Sequence, residues 1–451
     1  MKDDKMTVEE RLEKAKQPGI DAMILHKFYG GKIEVVPKVP VRSFADFAIW
    51  YSPGVAEPCK AINKDIDEAY THTWKWNTIA VVSDGTRVLG LGDIGPEAAM
   101  PVMEGKGMLF KYLGGVDAVP ICLDTKDPDK IIETVRLIAP SFGGINLEDI
   151  SMPKCFDILD ELRRECKIPV WHDDQQGTAT VEVAGAINAM KIVGKKMNEA
   201  NLCLVGAGAA NIAIARLLIA TGFNPKNLCM VDSKGILNIE REDVKNDFKQ
   251  KWEICQRTNG AGKKGGMKEA MKGADIVIAA SKPGPGTIPK EYVKLMADDP
   301  IVFATANPVP EIWPWEAKEM GAKIIATGRS DFPNQVNNSL GFPAIFRGTL
   351  DVRATTITDE MCIAAATELA KCAEEKGLSE EYIIPSMSEW EVYPREAVAV
   401  ALKAQEQGVA KLKLSRQEIY DRAEFMIKRS RDLTDNMMKK GFIPDAKKAY
   451  K

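Results

Sequence analysis

The chain has 451 residues, enough for two or three domains with a substantial core. Its 64 acidic residues nearly balance 61 basic ones and 45% of it is apolar, a globular composition without the charge excess that nucleic acid or an anionic membrane surface would select. Three histidines, at positions 26, 72 and 172, leave little material for a multi-histidine metal site or a histidine-centred acyl-transfer triad, so chemistry is expected from carboxylates, lysine or tyrosine.

Residues 7 to 16 read as a solvated helix capped by Thr7, with Glu10 three residues on and Pro18-Gly19 as its stop. The first twenty residues lack the apolar core of a signal peptide, and no later run of about 18 apolar residues could span a bilayer. Together with nine scattered cysteines that form no Cys-x-x-Cys pair, this predicts a cytoplasmic protein with reduced thiols and no membrane partner. Tyr51 lies beside the turn-forming Pro53-Gly54. Short apolar runs ending in Gly or Asp then predict strands buried on both faces at 79 to 85, 88 to 95 and 118 to 124. Between 83 and 111, glycines cluster around Arg87 and Lys106, implying close backbone approach to something small and polar.

A helix after Pro153 puts Phe156, Leu159 and Leu162 on one face, and 168 to 173 reads as another strand, so the region is α/β. Glu148-Asp149 precedes that helix and Asp173-Asp174 ends that strand. Carboxylates so placed suit a hard divalent cation, Mg²⁺ or Mn²⁺, or equally cap helices and face water. His172 reads as a packed strand residue.

Residues 179 to 193 form a long apolar helix, closed by Gly194, which marks the expected domain boundary. Beyond it, Gly206-Ala207-Gly208-Ala209-Ala210-Asn211 follows a strand and opens a helix, the context of a dinucleotide fingerprint, with Asn211 in place of the third glycine. Asp232 ends the next strand 21 residues after Asn211, placed to accept from the adenosine ribose hydroxyls of NAD, whereas Ser233 and Lys234 suit the 2′-phosphate of NADP. The choice stays open. Further strands are expected within 274 to 281, 301 to 308 and 323 to 328, and the polar loop 256 to 266 reads as exposed and outside any site. Asn307, Asn337 and Asn338 lie on loops, where amides serve carboxylates or caps equally. Helical patterns return at 359 to 376 and fill the last fifty residues.

Taken together, Tyr51-Ser52-Pro53-Gly54-Val55-Ala56, the stretch from Asp84-Gly85 to Lys106, Asn146-Leu147-Glu148-Asp149, His172-Asp173-Asp174-Gln175-Gln176-Gly177-Thr178-Ala179, Ala306-Asn307-Pro308 and residues 328 to 348 resemble the malic enzymes of short prokaryotic type. The resemblance runs from about residue 20 to 400. It implies an α/β protein: a Rossmann-type doubly wound parallel sheet domain at 179–340, an N-terminal α/β malate and metal domain at 1–178, and a C-terminal helical segment, 341–451, packing back on the first. The implied reaction is oxidative decarboxylation of L-malate to pyruvate and CO₂ with reduction of NAD or NADP, dependent on Mg²⁺ or Mn²⁺. A malolactic-type enzyme releasing lactate and a non-catalytic dicarboxylate or nucleotide sensor are the alternatives.

The resemblance also implies roles. Glu148, Asp149 and Asp174 hold the metal; Lys106 is the general base with Asp173 beside it, and Tyr51 the general acid. Arg87, Asn307, Asn337 and Asn338 bind malate. Gly206, Gly208, Ala209, Ala210, Asn211, Asp232, Ser233 and Lys234 bind the cofactor, with Asn307 shared. A lysine base needs its ordinary pKa of ~10.4 lowered, by desolvation or a nearby cation. Malate and pyruvate are the expected small-molecule partners, in a homodimer or higher homo-oligomer.

Overall fold

The computed structural model describes residues 8 to 450, so the expected Thr7 cap lies outside the described residues. Helix α1, Val8–Tyr29, runs through Pro18 and Gly19, the expected stop. Tertiary contacts override the local signal: the Tyr29 hydroxyl donates to the Pro444 carbonyl at 2.7 Å and that of Tyr450 to Asp21 at 2.7 Å, tying the second half of α1 to the far end of the chain.

The first sheet is wholly parallel. Its strands β1 (Thr78–Ser83), β2 (Asp117–Cys122), β3 (Gly144–Leu147) and β4 (Val170–His172) lie in the order β2-β1-β3-β4. The strand expected at 88 to 95 is absent. Residues 84 to 95 form a loop with one bridge, Val88 to Gly92, because Gly85, Gly92 and Gly95 all take positive φ and fold the run back on itself. Helix α2, Pro96–Gly114, follows directly. Helix α3, Lys154–Glu165, buries Phe156, Leu159 and Leu162 as expected.

Helix α4, Thr178–Ile192, is buried on nearly every side, taking the polar Thr180, Glu182 and Asn188 inside with its apolar majority. It leads to a six-stranded sheet built from β5 (Leu202–Val205), β6 (Leu228–Asp232), β7 (Gly235–Ile236), β8 (Ile276–Ala279), β9 (Ile301–Ala304) and β10 (Ile324–Thr327). The order is β10-β9-β8-β5-β6-β7, parallel except for the short edge strand β7, so the order reverses between β5 and β8 as in doubly wound dinucleotide folds. Helix α5, Ala209–Ala220, leaves β5 at that reversal.

Four helices close the chain: α6 (Phe342–Asp351), α7 (Asp359–Lys376), α8 (Val392–Glu406) and α9 (Arg416–Lys439). Helix α6 is buried throughout and lays Phe342 and Phe346 on Phe110 of α2, with ring centroids 4.5 and 5.3 Å apart. One continuous apolar core therefore joins the first sheet, α4, one face of the second sheet and α6 to α9, while a smaller cluster covers the other face of the second sheet. Among the described residues no helix is long and apolar enough to cross a membrane.

Candidate active site

The carboxyl ends of β1, β3 and β4 deliver their next residues to one place: Asp84, Glu148-Asp149 and Asp173-Asp174. Glu148, Asp149 and Asp174 bring carboxylate oxygens within 4.8 Å of one another. Asp149 holds a positive φ of 54°, an uncommon conformation for a residue with a side chain, and its N–H donates to Oδ2 of Asp174 at 2.9 Å. Its carbonyl accepts from the Arg87 N–H at 2.9 Å, and Thr86 Oγ1 accepts from Ser151 N–H at 2.9 Å, so the glycine-rich loop is stitched to the carboxylate loop. Lys154 and Thr86 in turn hold the buried Asp84 at 2.5 and 2.6 Å. Asn146, on β3, donates to Glu148 at 2.8 Å.

Lys106 comes from α2 and is only 7% exposed; its Nζ lies 2.6 Å from Asp173 Oδ2 and 3.0 Å from Glu148 Oε1, over the face of the Phe342 ring. Asp173 is also bonded by Asn338 at 2.6 Å and by the Trp171 indole at 3.3 Å. It opens a π-helical turn, Asp173–Gly177, between β4 and α4, a distortion typical of functional sites. His172 is fully buried with neither ring nitrogen hydrogen-bonded, Nδ1 lying 3.6 Å from Asp174, and burial lowers its pKa so that the ring packs as a neutral one.

The electrostatics fit a cation. Burial first, then repulsion among neighbouring carboxylates, raises Glu148 and Asp149 well above the ordinary carboxylate range, and Oδ2 of Asp149 is buried with no donor. A hard divalent ion among these oxygens removes both costs. For Lys106, burial works to lower the pKa, but Asp173 and Glu148 outweigh it and hold the ammonium above its ordinary value. The lysine's basicity thus depends on whether the charge of Glu148 is spent on a cation.

The other expected substrate groups separate. Arg87 is exposed at the mouth, with one guanidinium N–H on the Leu89 carbonyl at 3.0 Å. The backbone carbonyl of Asn307 packs against the loop of Arg87, only 2.8 Å from where a Cβ on Gly90 would stand, while its side-chain amide lies against Gly328. Asn338 reaches the lysine cluster through Asp173. Asn337 does not: its side-chain oxygen is taken by the N–H and hydroxyl of Ser339 at 3.0 and 2.6 Å, a helix cap. Tyr51 is 73% exposed and makes no side-chain hydrogen bond among the described residues, so one chain does not bring it to Lys106.

Across the cleft, a groove of about 970 Å³ runs along the carboxyl ends of β5 and β6. Gly206 has φ 101° and no room for a side chain, since a Cβ would lie 2.8 Å from the Ala280 carbonyl. Gly208, Ala209 and Ala210 open α5 without a side-chain cap, leaving its first N–H groups for a pyrophosphate. Asn211, the departure from the glycine pattern, is buried and donates to the Val205 and Gly206 carbonyls at 2.7 and 2.9 Å, locking the turn instead of loosening it. Asp232, Ser233 and Lys234 line the groove as expected. So do Lys264 to Gly266, from the loop read as lying outside any site, and Arg241 and Lys251, which carried no sequence signal. Burial works to raise the Asp232 carboxyl, but bonds from Arg241 and the Lys234 N–H outweigh it and leave it below its usual value.

Comparison with known proteins gives a consistent result. The family description "Malic enzyme, N-terminal domain" matches residues 30–163 and "Malic enzyme, NAD binding domain" residues 175–405. A bifunctional malic/malolactic enzyme of Bacillus subtilis is 52% identical over 89% of this chain and 97% of its own length. An NAD-dependent malic enzyme of Geobacillus stearothermophilus is 53% identical over 85% of this chain and 78% of its own. A crystal structure of the Entamoeba histolytica malic enzyme superposes with a TM-score of 0.95 at 47% identity, covering 98% of this chain and 93% of that one.

Proposed function

The chain belongs to the malic enzyme family, and from that premise we propose how its residues divide the work. The reaction is oxidative decarboxylation of malate with reduction of NAD or NADP. The observation that carries the assignment is the three-carboxylate set touching a buried lysine: Glu148 is both a member of the set and 3.0 Å from Lys106.

Glu148, Asp149 and Asp174 would hold Mg²⁺ or Mn²⁺, which would supply Lewis acidity toward malate, and the groove along β5 and β6 would hold the nicotinamide cofactor that serves as hydride acceptor. Lys106 Nζ takes the hydroxyl proton, with Asp173 and Asn338 fixing its place. Arg87 grips a substrate carboxylate through its forked donors, and Asn307 is the second malate-binding side chain. Tyr51 returns a proton to carbon-3 after CO₂ has left. The exposed apolar side chains of the segment that carries Tyr51, Val35, Phe44 and Trp50 among them, support a homodimer in which this tyrosine enters the partner copy's cleft. Nine free cysteines support a reducing cytoplasm as the place of work.

The test is malate-dependent growth of reduced-nicotinamide absorbance in the presence of Mg²⁺ or Mn²⁺. Activity that vanishes on chelation, with pyruvate as product, is expected; no reduction of either cofactor by the metal-replete protein would refute the reading. Lactate as sole product would move the assignment to malolactic chemistry, as the name of the Bacillus relative allows. Lys106→Ala is expected to lose at least ~10²-fold in kcat while Mn²⁺ and malate still bind. Near-normal turnover would remove Lys106 as the base.

A further inference from the structure

In an NAD-binding groove of this fold, the acidic residue at the end of the second strand accepts from the adenosine ribose hydroxyls. An ionised carboxylate has about four acceptor sites. At Asp232 four protein donors already converge. Oδ1 accepts from the Lys234 N–H at 2.9 Å and an Arg241 guanidinium N–H at 3.1 Å; Oδ2 accepts from the other arm of Arg241 at 3.1 Å and from Lys251 Nζ at 3.5 Å.

The donors are themselves fixed. Arg241 makes a second forked pair with Asp243, at 2.7 and 2.9 Å, so its plane is clamped between two carboxylates. Lys234 Nζ reaches Asp243 at 3.1 Å. The group therefore carries three cations against two carboxylates, all but Asp243 lining the groove, while Ser233 beside them is exposed with a hydroxyl that makes no hydrogen bond among the described residues.

We propose that this end of the groove receives the 2′-phosphate of NADP, with Arg241 and Lys251 as its recognising cations and Asp232 as the positioning residue that holds them, so that the enzyme prefers NADP to NAD. The inference rests on the malic enzyme reading and deepens it. Asp232 acts on the cations and not on the ribose: the N–H groups of Arg241 are already donated to Asp232, Asp243 and the Gly235 carbonyl, so Arg241 supplies fixed positive charge and the Lys251 ammonium supplies the direct hydrogen bond to a phosphate. The Ser233 hydroxyl and the Lys234 ammonium complete the donor set.

Calorimetric titration of the full-length protein, without malate or metal, compares adenosine 2′,5′-bisphosphate with adenosine 5′-monophosphate. The bisphosphate is expected to bind at least about tenfold more tightly, and Arg241→Ala and Lys251→Met are each expected to shrink that ratio severalfold. In turnover, the same variants should lower the ratio of kcat/KM for NADP to that for NAD. Lys251→Met leaves the Arg241 clamp in place and carries the test if Arg241→Ala fails to fold. Equal affinity for the two nucleotides, or a wild-type preference for NAD, overturns the proposal. Malate-dependent reduction of NAD alone sinks this inference and leaves the family reaction standing. Tight bisphosphate binding with no malate-dependent reduction of either cofactor does the reverse.

Discussion

A Cβ placed on Gly177 would lie 1.9 Å from Oδ1 of Asp173. Its φ of −66° suits any residue, so the requirement for glycine here is contact and not backbone freedom. Gly177→Ala must displace the Asp173 carboxylate, whose Oδ1 accepts from the Trp171 indole and whose Oδ2 meets Lys106 and Asn338, and displacements of about 1 Å at a catalytic group cost roughly 10²-fold in rate. The expected outcome is a loss of that order in kcat with a much smaller change in Mn²⁺ affinity; unchanged kcat would mean that Asp173 is not needed where it stands. The acidic pairs, Lys106 and the glycine loop were all legible because they sit in ordered motifs. Arg241 was not, since nothing in linear spacing says that a side chain nine residues past Asp232 folds back onto it. Nor could sequence tell Asn337 from Asn338: adjacent amides at a helix start point in different directions, one capping its own turn and the other reaching Asp173.

Elements were readable where composition was uniform. The buried strands of the second sheet are short apolar runs and helix α4 is mostly apolar, and they fold as such, although α4 also buries Thr180, Glu182 and Asn188. Strand β3 leaves no signal in the sequence because four residues beginning at Gly144 are too short to show a period, and α2 leaves none because Pro96, Pro101, Gly105 and Gly107 imitate a loop. Helix α8 carries a further burden that hydropathy alone misses: Glu396 is fully buried with neither carboxylate oxygen hydrogen-bonded, and burial, with Glu368 adding, raises its pKa well above the usual value. The folded state thus binds the proton more tightly than the unfolded chain, and stability falls as pH rises above the unfolded value of about 4.3. Glu396→Met is expected to stabilise the protein by about 1–2 kcal/mol at pH 8, a gain that shrinks as pH falls toward 4. Urea unfolding at both pH values checks it; a gain independent of pH would mean the carboxyl is not the cause.

At the scale of the whole molecule, the acid and the base of the proposed reaction stand apart: Lys106 is buried under α6, and Tyr51 is exposed on an apolar face. If two copies exchange their tyrosines, mixing Tyr51→Phe chains with Lys106→Ala chains rebuilds one complete cleft in each mixed dimer. Random assortment then restores about a quarter of the wild-type rate, and no restoration would return Tyr51 to its own chain or remove it from the reaction. Sedimentation of the wild-type protein as a monomer at assay concentration would end the argument. The continuous core has a different consequence. Leu204, Met230, Ile278 and Phe303 of the cofactor sheet are covered by the same cluster that holds the first sheet and α6 to α9. The two family segments are separable as text but share one interior, so the cofactor sheet is not a cassette: transplanted without its surroundings, it would arrive with one face stripped to water.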